Sequence, residues 1–314
     1  MFEKRNDNEI IPICFDRLFK KVFGDPFAVH RLEAFLSVYY DIPYEKLKGK
    51  VTILESDRRE AQKSKKQQDR DLIIKMEIDG SIKYINIEVN NEKGIIVVRN
   101  ITYTAQIIAE YLKNKEDYDA IPPIIQINFN DFYINDSSKV VQRYFYRDEE
   151  GYLLSELSEI DHINLAMSEN TWYNGSIKKE KKEDQGPIQL GALLKIRKKD
   201  ELLKCLEGIN MPKEIKEDIY NTVVDYSSFE DNIGWYDKEL DTWKINEGNK
   251  KLARREGYQE GMEKGMEKGM EKGMEKGMKE SSIAIAKNLL KMKYSIEQVS
   301  KITDLSKEEI EKLR

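Results

Sequence analysis

Asp71 and Glu88 are the two carboxylates whose placement most suggests chemistry, and both lie in DRDLIIKMEIDGSIKYINIEVN, residues 69–90. Two strand-like runs there are joined by Asp79-Gly80, a pair suited to a type I′ hairpin turn. With those two residues at the centre of the turn, Ile78 opposes Ser81, and each step outward brings the next pair together until Asp71 meets Glu88. The same register sets Leu72 against Ile87 and Ile74 against Ile85, so one face of the ribbon is apolar and the two acids share the other. Opposed side chains have Cβ atoms about 4.5–5.5 Å apart, where like charges repel. A hard divalent cation, Mg²⁺ or Mn²⁺, removes that repulsion and keeps part of its water shell. Such waters are the reactants in metal-assisted phosphodiester hydrolysis. The competing reading is a solvated hairpin face that tolerates two acids.

Further polar residues gather around this pair. Arg99, Tyr103 and Gln106 are spaced i, i+4, i+7 on a helical stretch, a polar stripe opposed to Ile101, Ile107 and Ile108. The stripe suits a phosphate contact or support of a metal site, and equally an ordinary surface face. The run before Asp71 carries Arg58, Arg59, Lys63, Lys65, Lys66 and Arg70 against few acids. That makes it a locally basic segment suited to a DNA backbone, or a solvated loop. Lys75 shares the acidic face.

Composition narrows the alternatives. The chain has 314 residues, 53 basic and 58 acidic, for a formal net charge of -5, so any nucleic-acid contact must be local. Its two histidines, His30 and His162, lack partners at metal-ligand or relay spacing, so histidine-centred chemistry is not expected. Two cysteines, Cys14 and Cys205, without CxxC spacing, suit a reducing cytoplasm rather than a disulfide or zinc framework. No GxSxG, GxxxxGK[ST] or GxGxxG pattern occurs, and no apolar run is long enough for a membrane span. The opening MFEKRNDNEI has no apolar signal core. A soluble cytoplasmic protein is expected.

The elements that must position the carboxylates are readable in outline. Phe15, Leu18, Phe19, Val22 and Phe23 form the stripe of an amphipathic helix that Gly24 can close, and Asp25-Pro26 opens another. VTILE at 51–55, the hairpin, PIIQINF at 123–129 and VVQRYFYRD at 140–148 read as strands, with a helix between hairpin and third run. This order predicts an α/β (α+β) core over 10–165 with a mixed central sheet. A helical appendage over 186–245 follows, then a Gly-Met-Glu-Lys repeat over 250–280, either a helix or a linker. A small helical module of helix-turn-helix appearance ends the chain at 281–314, with capping boxes at Ser295/Gln298 and Ser306/Glu309.

Asp16, Phe19 and Lys20 in FDRLFKKVFGD, Asp71 in RDLIIK, Glu88 in INIEVN, Arg99 and Tyr103 in RNITYTAQIIAEYL, and the late glycine repeat together resemble the Rpn family of recombination-promoting nucleases and transposases. That family lies within the PD-(D/E)XK nuclease superfamily. The resemblance implies a restriction-endonuclease-like core and a Mg²⁺-dependent DNA endonuclease, with Asp71 and Glu88 as metal ligands and Asp16 supporting the site. Asn90 stands where the superfamily motif has lysine and this family usually glutamine. The second hypothesis is therefore a catalytically degenerate relative that binds DNA or another chain. A homodimer through the repeat helix is expected in either case.

Overall fold

The computed structural model describes residues 7–54, 72–92, 94, 96–114 and 121–313. Two compact units divide the chain, Met1–Tyr236 and Asp237–Arg314.

The first unit opens with α1 (Asp16–Phe23), which buries Leu18, Phe19, Val22 and Phe23 and ends at Gly24. Asp25 then accepts a hydrogen bond from the Phe27 amide, but the turn it opens, Pro26–Ala28, is 3-10, and the α-helix starts only at α2 (Val29–Tyr39). The bond to Phe27, with burial opposing and Lys21 assisting, holds the Asp25 carboxyl below its usual range. After α3 (Tyr44–Leu47) and β1 (Val51–Ile53) comes the hairpin of β2 (Leu72–Ile78) and β3 (Ser81–Asn90). Its turn residues Asp79 and Gly80 both have positive φ, 50° and 78°, as a type I′ turn requires. The register runs as the turn dictates, from Ile78 opposite Ser81 to Leu72 opposite Ile87.

Helix α4 (Ile96–Asn114) and strands β4 (Ile124–Asn130), β5 (Val141–Arg147) and β6 (Leu153–Asn164) complete a six-stranded mixed sheet in the order β1-β2-β3-β4-β6-β5. The pairs β3/β4 and β4/β6 are parallel and the rest antiparallel. Central parallel strands are covered on both faces, and β4 is buried at every position. One face carries Ile85, Ile87, Val89, Ile127 and Phe129, and meets α2 through Phe35 and Tyr39, whose rings lie 5.8 and 6.5 Å from Phe129. The other face lies under α4, where Tyr111 approaches Tyr84 at 6.2 Å.

Helices α5 (Leu165–Tyr173), α6 (Lys182–Lys195), α7 (Lys199–Gly208) and α8 (Lys213–Ser228) follow. They are woven into the first unit. The Ile10 amide donates to the Arg197 carbonyl and the Ile11 amide to Ser227, and Asp218 on α8 accepts from Arg31 on α2. Gly191 of α6 has no room for a side chain, because a Cβ there would meet Ser168 Oγ at 2.5 Å. Cys14 sits in the turn ahead of α1. Burial pushes its thiol, and that of Cys205, up to about 12.

Helix α9 (Glu230–Lys291) carries the whole glycine repeat in helical form. In the second unit its last turns pack with α10 (Ile296–Thr303) and α11 (Lys307–Glu311) around Ala286, Val299, Leu305 and Ile310. Both capping boxes form as the spacing predicts.

Candidate active site

The face of the sheet beneath α4 is where the structure departs most from the sequence reading. A two-stranded ribbon leaves one face to solvent, but β3 is a central strand, so the Glu88 face is as buried as the apolar one. Glu88 is only 3% exposed, and Asn86 and Asn90 on either side of it are buried too. The solvated-hairpin alternative therefore does not hold for Glu88.

Register extends the polar row across the sheet. Glu88 stands beside Asn128, and Asn128 beside His162; Asn90 stands beside Asn130, and Asn130 beside Asn164; Asn86 stands beside Gln126. Buried amides require partners, and several find them within the row. Asn86 Nδ2 donates to Glu88 Oε1 at 3.1 Å and to Gln126 Oε1 at 2.8 Å. Asn90 Nδ2 donates to Asn130 Oδ1 at 3.1 Å, and Asn130 Nδ2 lies 3.0 Å from His162 Nδ1. Burial pushes the His162 imidazole down to about 4. Asn164 serves α5 instead, capping it by accepting from the Met167 amide.

Helix α4 delivers a cation to this row. Arg99 Nη2 donates to Asn90 Oδ1 and lies 3.6 Å from Glu88 Oε2. Its buried Nε has no hydrogen-bond partner among the described residues, nor do Asn86 Oδ1 and Asn128 Oδ1. The inward face of α4 is polar to match, with Asn100, Tyr103 and Thr104 buried. This corrects the expected stripe. Ile107 is buried on the same side as Tyr103, Ile101 is half exposed, and Gln106 points to solvent. A helix covering amides rather than aliphatics turns its asparagine and threonine inward.

The structure thus brings Glu88, Asn90 and Arg99 together and buries Tyr103 on the same helix. Asp16 lies exposed at the start of α1 with its carboxylate on Lys20 at 2.8 Å. The turn ahead of it is tied to the end of β3, because Asn91 Nδ2 donates to the Cys14 carbonyl at 3.3 Å. Lys75 is engaged by Glu77 at 3.0 Å. Asp71 and the basic residues Lys63, Lys65 and Lys66 lie outside the described residues. The sequence reading missed Asn128, Asn130 and His162, although alternate amides in QINFN were a period-2 signal of a polar buried face.

The site fits a hard cation in its donor chemistry. Glu88 offers a buried carboxylate, and the unpartnered Asn86 Oδ1 is a second oxygen donor on the same face. No group of three histidine, cysteine or acidic residues able to hold a metal occurs among the described residues. Mg²⁺ needs fewer, since it binds through one or two carboxylates and retains water.

Residues 14–185 match the family model described as PD-(D/E)XK nuclease family transposase, and residues 279–314 match that of the Rpn/YhgA-like nuclease family, C-terminal HTH domain. Comparison with curated proteins and with solved structures finds no match. No described helix is long and apolar enough to cross a membrane. The first match covers more than half of the chain and contains the sheet, α4 and the buried row, and on that basis the chain belongs to the PD-(D/E)XK nuclease family transposases, with a C-terminal HTH domain of the Rpn/YhgA-like nuclease type.

Proposed function

We propose that the protein is a Mg²⁺-dependent DNA endonuclease of the recombination-promoting type, acting in the cytoplasm, with Mn²⁺ as an alternative ion. The observation that carries this reading is Glu88, a buried carboxylate held by Asn86 and faced by Arg99 inside the family-matched segment. When bound, the cation supplies an activated water and neutralises charge on the phosphodiester. Glu88 and Asp71 hold it, and Asn86 fixes the Glu88 carboxylate. Arg99 supplies a guanidinium beside Glu88 to stabilise negative charge on the phosphate, and a preorganised cation lowers the barrier most in a site shielded from water. Asn90 aims Arg99 rather than acting on water itself. Tyr103 packs α4 in place, Gln106 faces solvent at the rim, and Asp16 supports the approach to the end of β3. Lys63, Lys65 and Lys66 contact the DNA backbone.

Plasmid DNA should be cut with Mg²⁺ or Mn²⁺ and left intact with EDTA. Mg²⁺ should also raise the melting temperature of the parent but not of Asp71→Ala. Absence of cutting with either ion would leave the second reading, a DNA-binding relative without catalysis. Asn90 favours that reading, since both ends of its amide are already engaged.

A homodimer through α9 belongs to the same proposal. Met262, Met266, Met270, Met274 and Met278 are all exposed on the helix, and the repeat glycines have open space around them. A second copy of the helix covers both, offsetting the roughly 1 kcal/mol that each interior glycine costs relative to alanine. Replacing the five methionines with glutamine should halve the mass seen by light scattering. An unchanged mass would exclude the repeat as the dimerising element.

A further inference from the structure

The four side chains Arg99, Asn90, Asn130 and His162 form one continuous hydrogen-bond chain across α4, β3, β4 and β6. Its direction is set from one end. A guanidinium only donates, so the Asn90 group that meets Arg99 must be Oδ1. That leaves Asn90 Nδ2 to donate to Asn130 Oδ1, and Asn130 Nδ2 to donate to His162. The Nδ1 atom of His162 must then be a bare acceptor, with the ring proton on Nε2. No other assignment of the two amides satisfies every link.

The same logic runs in reverse. Asparagine amides can turn over, exchanging oxygen for nitrogen with almost no change of shape. An overturned Asn90 would present Nδ2 to Arg99, donor against donor, and the arginine would leave its place beside Glu88. What prevents this is the acceptor at the far end of the chain. The oxygen and the nitrogen of the Asn90 and Asn130 amides each have a partner, whereas Asn86, Gln126 and Asn128 each retain a buried atom without a partner among the described residues. The two amides of the chain are therefore the satisfied ones of the row, and they end on the site's cation.

We propose that His162 is a positioning residue for DNA cleavage, whose unprotonated Nδ1 orients Asn130 and Asn90 so that Arg99 is held over Glu88. This deepens the endonuclease reading and rests on it. The imidazole touches neither the carboxylate nor the phosphate in this role. Its burial keeps it neutral, as an acceptor must be.

The protein labelled with nitrogen-15 in histidine has two imidazoles, and His30→Gln leaves His162 alone in the spectrum. The expected spectrum is a neutral ring with the proton on Nε2; a proton on Nδ1 in the parent overturns the proposal. Asn130→Asp, whose carboxylate can only accept, should move the proton to Nδ1, and an unmoved proton would show that Asn130 does not face the ring. In cleavage assays His162→Phe should lower kcat by about 10- to 100-fold, the range for second-layer partners, with KM and the Mg²⁺-induced melting shift retained. His162→Asn, which restores an acceptor, should recover much of the loss. Parental kcat in His162→Phe also overturns the proposal. Should His162→Phe fail to fold, the parent tautomer and the Asn130→Asp spectrum still decide. If the parent cuts no DNA with any divalent ion, the endonuclease reading falls with the role built on it, while the tautomer still shows separately whether the chain has the stated direction.

Discussion

Glu88→Gln is expected to abolish DNA cleavage, with a loss of about 10³-fold or more, while leaving the fold intact. The carboxylate has one oxygen 3.1 Å from Asn86 Nδ2 and the other 3.6 Å from the Arg99 guanidinium. Glutamine retains the shape and one acceptor but offers an N–H where the second oxygen was, and it carries no charge for a cation. Two effects on stability oppose each other. Loss of the charge leaves Arg99 without its carboxylate, and it also removes the repulsion expected between Glu88 and Asp71. Their difference should stay within about 2 kcal/mol, inside the usual span of a single substitution. Plasmid nicking and thermal unfolding of the same preparation separate the two consequences. A folded variant that cuts at the parental rate would remove Glu88 from the metal site.

The second large effect is a dependence of stability on pH, set by two adjacent residues on opposite faces of β6. Asp161 faces α2, where the Tyr39 hydroxyl donates to it at 2.5 Å and Arg143 lies 3.8 Å away. Burial, reinforced by the charge of Glu159, pushes Asp161 up to about 8 from 3.8. Burial pushes His162 down from 6.5 to about 4. Between pH 4 and 6.5 the folded chain binds more protons at Asp161 and fewer at His162 than the unfolded chain, so the two slopes cancel. From pH 6.5 to 8 only Asp161 contributes, and stability falls as pH rises, because folding holds a proton that the unfolded chain has already lost. At about 1.4 kcal/mol per pH unit, the expected loss over that interval is about 2 kcal/mol. Urea unfolding at both pH values should show it in the parent, and Asp161→Asn should remove it. Equal pH dependence in parent and variant would mean that Asp161 is not the group responsible.

The hairpin was legible because local chemistry determines it. Asp79-Gly80 selects the turn, and alternating Leu72, Ile74, Ile85 and Ile87 selects the face, so the register of β2 against β3 needed no knowledge of the rest of the sheet. The N-terminal helix and both C-terminal capping boxes were legible for the same reason. The site beyond Glu88 was not. Asn130 and His162 come together only through parallel pairings that bridge distant segments, and no turn residue encodes those. Strand β6 went unassigned because LLSELSEIDHIN reads as an acidic, half-polar run, and its buried Ser158, Asp161 and His162 make sense only against their neighbours. The stripe on α4 was misread on the assumption that a helix turns aliphatics inward. That assumption fails over a floor of amides.

Those amides also bear on how the sheet assembles. The neighbouring strands β3 and β4 alternate between aliphatic or aromatic and amide or acidic side chains, so a slip of one residue would drive Asn86, Glu88 and Asn90 against Phe35 and expose Ile85 and Ile87 to α4. A slip of two preserves the faces but breaks the pairing of Asn86 with Gln126 and of Asn90 with Asn130, leaving buried amides without partners. Each such orphan costs about 1–3 kcal/mol. Aliphatic strands alone would discriminate far less between these alignments. The polar row thus acts as a key that admits one alignment of β3 and β4, and a chain without any catalysis would have the same reason to keep it.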